Sequence, residues 1–191
     1  MNDEKLKEEV REACEILRNG GVILYPTDTI WGIGCDATNE EAVRKVYELK
    51  RREDSKAMLV LLDDVGKLAS YVEVPDVAYD LLEVNDKPMT IIYPGAKNMA
   101  KNLIAADGTI GIRITSEVFT KALLYRFRKP IVSTSANISG EPSPKCFAEI
   151  SDTVKSAVDY VVDFRRNETA NPAPSSIIKL GAGGEIQIIR K

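Results

Sequence analysis

The 191 residues, 44% of them hydrophobic and 29% charged, suffice for one domain with a substantial core. The formal net charge of -3, from 26 Lys and Arg against 29 Asp and Glu, argues against a general nucleic-acid coat protein, which needs a broad cationic surface. The chain has no histidine, which removes the commonest general acid/base, so any catalysis must rest on positioning and fixed charge. Cys14, Cys35 and Cys146 are odd in number and widely spaced; they match no metal or disulfide framework and point to a reducing cytosol. No apolar run is long enough for a membrane-spanning helix, and the charged start is not a signal peptide, so a soluble cytoplasmic protein is expected.

In chain order, Leu6, Val10, Cys14 and Leu17 form an apolar stripe, predicting an amphipathic helix over 3–18 that ends at Asn19-Gly20-Gly21. Val22–Tyr25 reads as a short buried strand stopped by Pro26. The segment 25–37 then reads as a loop crowded with hydroxyls, a carboxylate and two glycines. Such a loop either presents donors to a ligand at a strand end or is a rigid turn whose Asp28 and threonines satisfy local backbone groups. Asn39 can cap a second helix, 39–51, carrying Val43, Val46, Tyr47 and Lys50.

The cluster Lys50–Lys56 follows that helix. Lys50 and Arg52, two apart, do not point the same way on a regular helix, so from spacing alone they read as a solvated helix end complementing the macrodipole. Met58 to Leu62 is an apolar strand, and Asp63-Asp64 suits a helix N-cap better than a cation site. Further strands are expected at 89–93, 109–114, 130–133, 159–162, 175–180 and 185–190, with helices in parts of 64–70, 76–84, 116–127 and 145–157. Gly181–Gly184 predicts a hairpin between the last two strands, hence a mixed sheet. The basic run at 126–129 reads as a solvated helix end, and 163–175 as the longest loop.

The most telling segment is Ser133–Gly140. Five polar side chains in seven positions after the strand ending at Val132 exceed what a turn requires, and short hydroxyl and amide donors suit a phosphate or carboxylate. With the Lys50–Lys56 cations, this predicts an anion site that stabilises charge without exchanging protons. Neither a phosphate loop, a dinucleotide fingerprint, a nucleophile elbow nor a zinc-ligand set is present in the sequence.

Taken together, Tyr-Pro-Thr-Asp-Thr-x-aromatic-Gly-x-Gly-Cys-Asp-Ala at 25–37, Lys-x-Arg at 50–52 with Lys56, Thr-Ile-Gly-Ile-Arg at 109–113, Ser-Thr-Ser-Ala-Asn-x-Ser-Gly at 133–140, Pro-Ser-Ser-Ile-Ile at 174–178 and Ile-Ile-Arg at 188–190 resemble the YrdC/TsaC family, the threonylcarbamoyl-AMP synthases, over 7–190. The resemblance implies an α/β twisted open mixed sheet flanked by helices, with a concave basic active-site face and the whole of 1–191 as one YrdC-like domain of the short type. It implies a nucleotidyltransferase that joins L-threonine, bicarbonate or CO2 and ATP into threonylcarbamoyl-AMP and pyrophosphate, with Mg2+ accompanying ATP. That step serves the N6-threonylcarbamoyl modification of adenosine 37 in tRNAs, so tRNA and a downstream transferase complex are implied partners.

By motif, the resemblance places Lys50, Arg52 and Lys56 at the ATP phosphates, with Lys50 and Arg52 catalytic. Thr109, Ser135, Asn137, Ser143 and Arg190 hold the nucleotide. Thr29, Arg113, Ser133 and Ser176 hold threonine, Arg113 on its carboxylate. The chain departs from the family pattern at Glu53 for proline, at Ala57-Met58 for Pro-Leu, and near Leu61 for a frequent histidine. Two alternatives accompany this reading: a module of the same fold that binds double-stranded RNA, and a YciO-like paralogue of weak or different activity.

Overall fold

The computed structural model describes residues 3–51, 58–169 and 174–191. These contain helices α1 (Asp3–Arg18), α2 (Glu40–Lys50), α3 (Val77–Val84), α4 (Val118–Phe127) and α5 (Asp152–Ala157). The strands are β1 (Ile23–Tyr25), β2 (Gly32–Gly34), β3 (Leu59–Leu62), β4 (Met89–Tyr93), β5 (Ile110–Ile114), β6 (Ile131–Ser135), β7 (Tyr160–Val161), β8 (Ser176–Leu180) and β9 (Ile186–Arg190). They form one sheet in the order β7-β1-β2-β6-β3-β5-β4-β8-β9. The sheet is mixed: β1/β7, β3/β5 and β4/β8 are parallel, whereas β8/β9 is the antiparallel hairpin expected across Gly181–Gly184. Among the described residues no helix is long and apolar enough to cross a membrane.

Local chemistry explains the helix ends. Asn39 Oδ1 accepts from the backbone N–H groups of Glu41 and Ala42, and α2 closes on Arg51 in the left-handed conformation. Asp64 caps the 3-10 turn Val65–Ser70, while Asp63 pairs with Lys67. The segment 145–157 is divided into a short turn, Phe147–Glu149, and α5, which starts afresh because Ser151 Oγ accepts from Val154 N.

Two strands differ from expectation. Residues 32–34 form β2 rather than loop, paired to β1 and, through Gly32 and Ile33, to β6. Gly34 permits the close approach: a Cβ there would lie 2.3 Å from Val132 O and 2.7 Å from Tyr25 Cε1. In turn β6 runs on through Ser133, Thr134 and Ser135, since those residues are laddered to β2 and β3.

Strand alternation divides the side chains between two faces. Leu24, Ile33, Val60, Leu62, Ile91, Ile112 and Val132 pack against Val43, Val46 and Tyr47 of α2 and Ala78 of α3. On the opposite face Ile23, Tyr25, Leu61 and Ile131 pack under α1 and α4, through Val10, Cys14, Leu17, Phe119, Leu123 and Phe127. Those two helices cover the β1–β6–β3 part of that face. Over β5, β4 and β8 the same face opens into a cavity.

Candidate active site

The cavity has a volume of about 720 Å³, within the range that holds a small-molecule ligand. Its floor follows the period of the strands: Thr109, Gly111 and Arg113 at β5, Thr90 and Ile92 on β4, Ser133 and Ser135 on β6, Ser175 and Ile177 at β8. Thr29, Ile30 and Trp31 form one wall; Ser143 and Lys145 line another part, and Arg190 reaches in from β9.

Of the residues expected at the site, Thr29, Thr109, Arg113, Ser133, Ser135, Ser143 and Arg190 line this cavity. Ser176 does not; its neighbour Ser175 does, because alternate residues of β8 face it and Ser176 lies one step out of phase. Ser175 Oγ is 3.0 Å from Thr90 Oγ1, and its carbonyl accepts from Arg190 Nε at 2.9 Å. Arg52 and Lys56 lie outside the described residues.

Lys50 is not at a solvated helix end. It is 2% exposed and lies on the same α2 stripe as Val43, Val46 and Tyr47. Its ammonium donates to Ser135 O at 2.5 Å, Asn137 O at 2.7 Å and Asn137 Oδ1 at 3.2 Å. Ser135 Oγ also lies 2.5 Å from Asn137 Oδ1, and Asn137 Nδ2 donates to Glu141 O. Lys50 and Asn137 thus brace, from behind, the turn that carries Ser135 to the cavity.

Thr109 is oriented too. Its hydroxyl donates to Asp107 Oδ1 at 2.6 Å, so toward a ligand it acts as an acceptor. In the 25–37 segment the rigid-turn reading holds at Thr27. Thr27 Oγ1 satisfies the local backbone, donating to Ile30 O and accepting from Thr29 N. Asp28 instead reaches across to β5, where its Oδ1 is 2.9 Å from Arg113 Nη2.

Arg113 lines the cavity and Asp28 stands behind it. Both side chains are buried, at 8% and 3% exposure. Burial pushes the Asp28 carboxyl above the usual carboxylate range and pulls the Arg113 guanidinium below its own, each partly offset by the other's charge. The contact is close but out of line for hydrogen bonding, and among the described residues Asp28 Oδ1 and Arg113 Nε have no hydrogen-bond partners. A buried guanidinium edge without an acceptor, in a cavity rich in hydroxyls, is a place for a carboxylate or another planar anion.

Sequence reasoning passed over Asp28, Thr90, Trp31, Lys145 and Ser175 as site residues. Trp31 and Ser175 stood inside motifs already quoted. Thr90 lies in the mostly apolar strand 89–93 and carries no local signal.

Fold and cavity together define an open mixed α/β sheet protein with a hydroxyl-lined cleft that Arg113, Lys145 and Arg190 border. Residues 15–191 match the Sua5/YciO/YrdC family model, described as "Telomere recombination", and the chain belongs to that family. It is 34% identical over 181 residues to a threonylcarbamoyl-AMP synthase of Pseudoalteromonas translucida, covering 93% of this chain and 95% of that protein. Among solved structures it resembles P. abyssi Sua5 complexed with L-threonine, with a TM-score of 0.82 and 25% identity over 90% of this chain. It spans 50% of that longer Sua5 chain. It also resembles E. coli YciO, with a TM-score of 0.81 and 27% identity, covering 95% of this chain and 88% of that one.

Proposed function

We propose that the protein is an L-threonylcarbamoyladenylate synthase, a nucleotidyltransferase making threonylcarbamoyl-AMP and pyrophosphate from L-threonine, bicarbonate or CO2 and ATP. The observation that carries this reading is Arg113, buried in the cavity with its Nε edge open. Threonine's carboxylate fits that edge bidentately, which a lysine could not offer. Thr29 and Ser133 flank it, with Ser175 in the role that Ser176 was expected to fill. The likeness to a threonine-bound Sua5 supports threonine as the substrate.

The amine of threonine condenses with bicarbonate, losing water, to a carbamate. The carbamate oxygen attacks the α-phosphorus of ATP, the bond to the bridging oxygen breaks, and pyrophosphate leaves with its electron pair. The nucleophile is already anionic, so the displacement needs in-line positioning and neutralised phosphates, not a histidine. Thr109, Ser135, Ser143 and Arg190 hold the nucleotide; Lys50 and Asn137 act through the Ser135 turn. Arg52 and Lys56 are assigned to the phosphates by their place in the motif. Mg2+ would enter with ATP, held chiefly by phosphate and water. The product passes to a transferase complex acting on tRNA in the cytoplasm.

The test is mass-spectrometric detection of threonylcarbamoyl-AMP after incubation with ATP, threonine, bicarbonate and Mg2+. Pyrophosphate release that is independent of either threonine or bicarbonate overturns the assignment. A YciO-like activity is the second reading, favoured by the near full-length match to E. coli YciO and by Leu61, fully buried beside Arg113 in the β3/β5 register.

A further inference from the structure

Asp28 has no role in the reaction just described, yet its buried side chain stands against Arg113, which lines the cavity. Its approach to Arg113 is a charge contact at 2.9 Å without hydrogen-bond alignment. It therefore offsets the guanidinium's charge from beside Nη2, the nitrogen that shares the side-on edge with Nε, while Nε itself has no hydrogen-bond partner among the described residues. The loop that carries it is pinned independently of any ligand: Thr27 Oγ1 donates to Ile30 O, Thr120 Oγ1 donates to Pro26 O, and Arg165 bridges Thr27 O and Glu117. These contacts hold the backbone on either side of Asp28.

A buried guanidinium with no counter-ion is costly, so Asp28 makes the empty site stable. A ligand carboxylate arriving on the Nε edge must share Nη2 with Asp28 and is repelled by it, because two carboxylates at one site disfavour each other's charge. Among the described residues, the other charges facing the pair are Arg190, from β9, which adds to the local positive potential, and Glu117, at the start of α4, which adds to the negative. Neither takes Asp28's place against Arg113 in the ion pairs of the described residues.

We infer that Asp28 is a positioning residue that acts through Arg113 as a resident counter-ion, stabilising the empty site and deliberately weakening its hold on the ligand's carboxylate. Its ligand class is a small amino-acid carboxylate, and this clause rests on the function proposed above. The chain would thereby separate two properties that a lone arginine links: a preformed site and a tight one. Modest affinity for a substrate whose carboxylate persists in the product also favours product release.

The experiment compares wild type with Asp28→Asn, which keeps shape and removes charge. Binding is followed by the fluorescence of Trp31, the only tryptophan and a cavity wall residue. Asp28→Asn is expected to lower the melting temperature of the ligand-free protein while tightening the L-threonine Kd about tenfold. The affinity for threoninol, which lacks the carboxylate, stays unchanged. A merely structural role predicts the lower melting temperature with weaker or unchanged threonine binding, and that result overturns the inference.

Acetate gives an arm that does not depend on threonine: it should raise the melting temperature of Asp28→Asn more than that of wild type, and equal shifts overturn the inference. Wild type that ignores threonine but shows the acetate effect sinks the synthase assignment and leaves the counter-ion standing. Where Asp28→Asn alone fails to fold, the charge-balanced Asp28→Asn/Arg113→Gln protein should recover; a double variant no more stable than the single one overturns the inference.

Discussion

Lys50→Met separates a structural brace from a phosphate ligand. Methionine keeps the length of the side chain and its place on the buried stripe of α2 but removes the ammonium. Four oxygens, Ser135 O, Asn137 O, Asn137 Oδ1 and Ser135 Oγ, then lose a donor at 2.5, 2.7, 3.2 and 3.5 Å. Hydrogen bonds to a charged group contribute about 1.5–3 kcal/mol each, but burying the ammonium offsets much of their sum. Stranded buried acceptors bring the net loss to about 3 kcal/mol. For a chain of this size that is a fall of about 6–12 °C in melting temperature. The assay pairs thermal unfolding by circular dichroism with the KM for ATP, which should rise as Ser135 is released. A variant that melts within about 2 °C of wild type yet loses activity would refute the reasoning, because the ammonium would then act on substrate rather than on the turn.

Three other outcomes are expected. Gly34→Ala, whose Cβ would meet Val132 O at 2.3 Å, should cost about 3 kcal/mol by forcing β2 away from β6; chemical denaturation measures it, and a loss under about 1 kcal/mol contradicts the close approach. Arg113→Lys should raise the threonine KM at least about tenfold with little change for ATP, since an ammonium cannot match a carboxylate bidentately; steady-state kinetics decide, and equal effects on both substrates count against the assignment. Asp107 is held at about 2, chiefly by hydrogen bonds from Lys179 and Thr109, below the ~3.9 of a free aspartate. A carboxyl depressed by folding stabilises fully above its unfolded value, so that contribution is lost as pH falls from about 4 to 2. The side chain is half exposed, which keeps the effect below about 1 kcal/mol. Urea titrations of Asp107→Asn should show a flatter pH dependence in that window alone.

Much of the fold was legible because it is written in local patterns. The stripe of α1, the Asn39 cap and the glycine-rich last hairpin each carry a period or a turn chemistry that acts within a few residues. What was illegible depends on partners far along the chain. β2 has three residues, two of them glycine, and becomes a strand only because β1 and β6 supply its hydrogen bonds. The Ser-Thr-Ser run resembles a loop for the same reason: its polarity reflects the cavity it faces, not the absence of a ladder. Lys50 is the instructive case. Its spacing from Val43, Val46 and Tyr47 put it on the buried face, yet its charge suggested solvent, and only the cluster of oxygens at Ser135 and Asn137 explains why the stripe prevails. Ser175 and Ser176 differ by strand phase alone, which β8 acquires from its register with β4. The pairing of Asp28 with Arg113 is likewise a product of topology, since nothing near either residue announces the other.

The cavity is assembled from β4, β5, β6, β8, β9 and the turn after β1, drawn from nearly the whole length of the sequence. A local opening of any one of these pieces dismantles the binding surface. Ligand occupancy should therefore not quiet one lid while the rest of the molecule breathes as before. It should suppress amide hydrogen exchange across the sheet together, joining segments that otherwise open separately into a single cooperative unit.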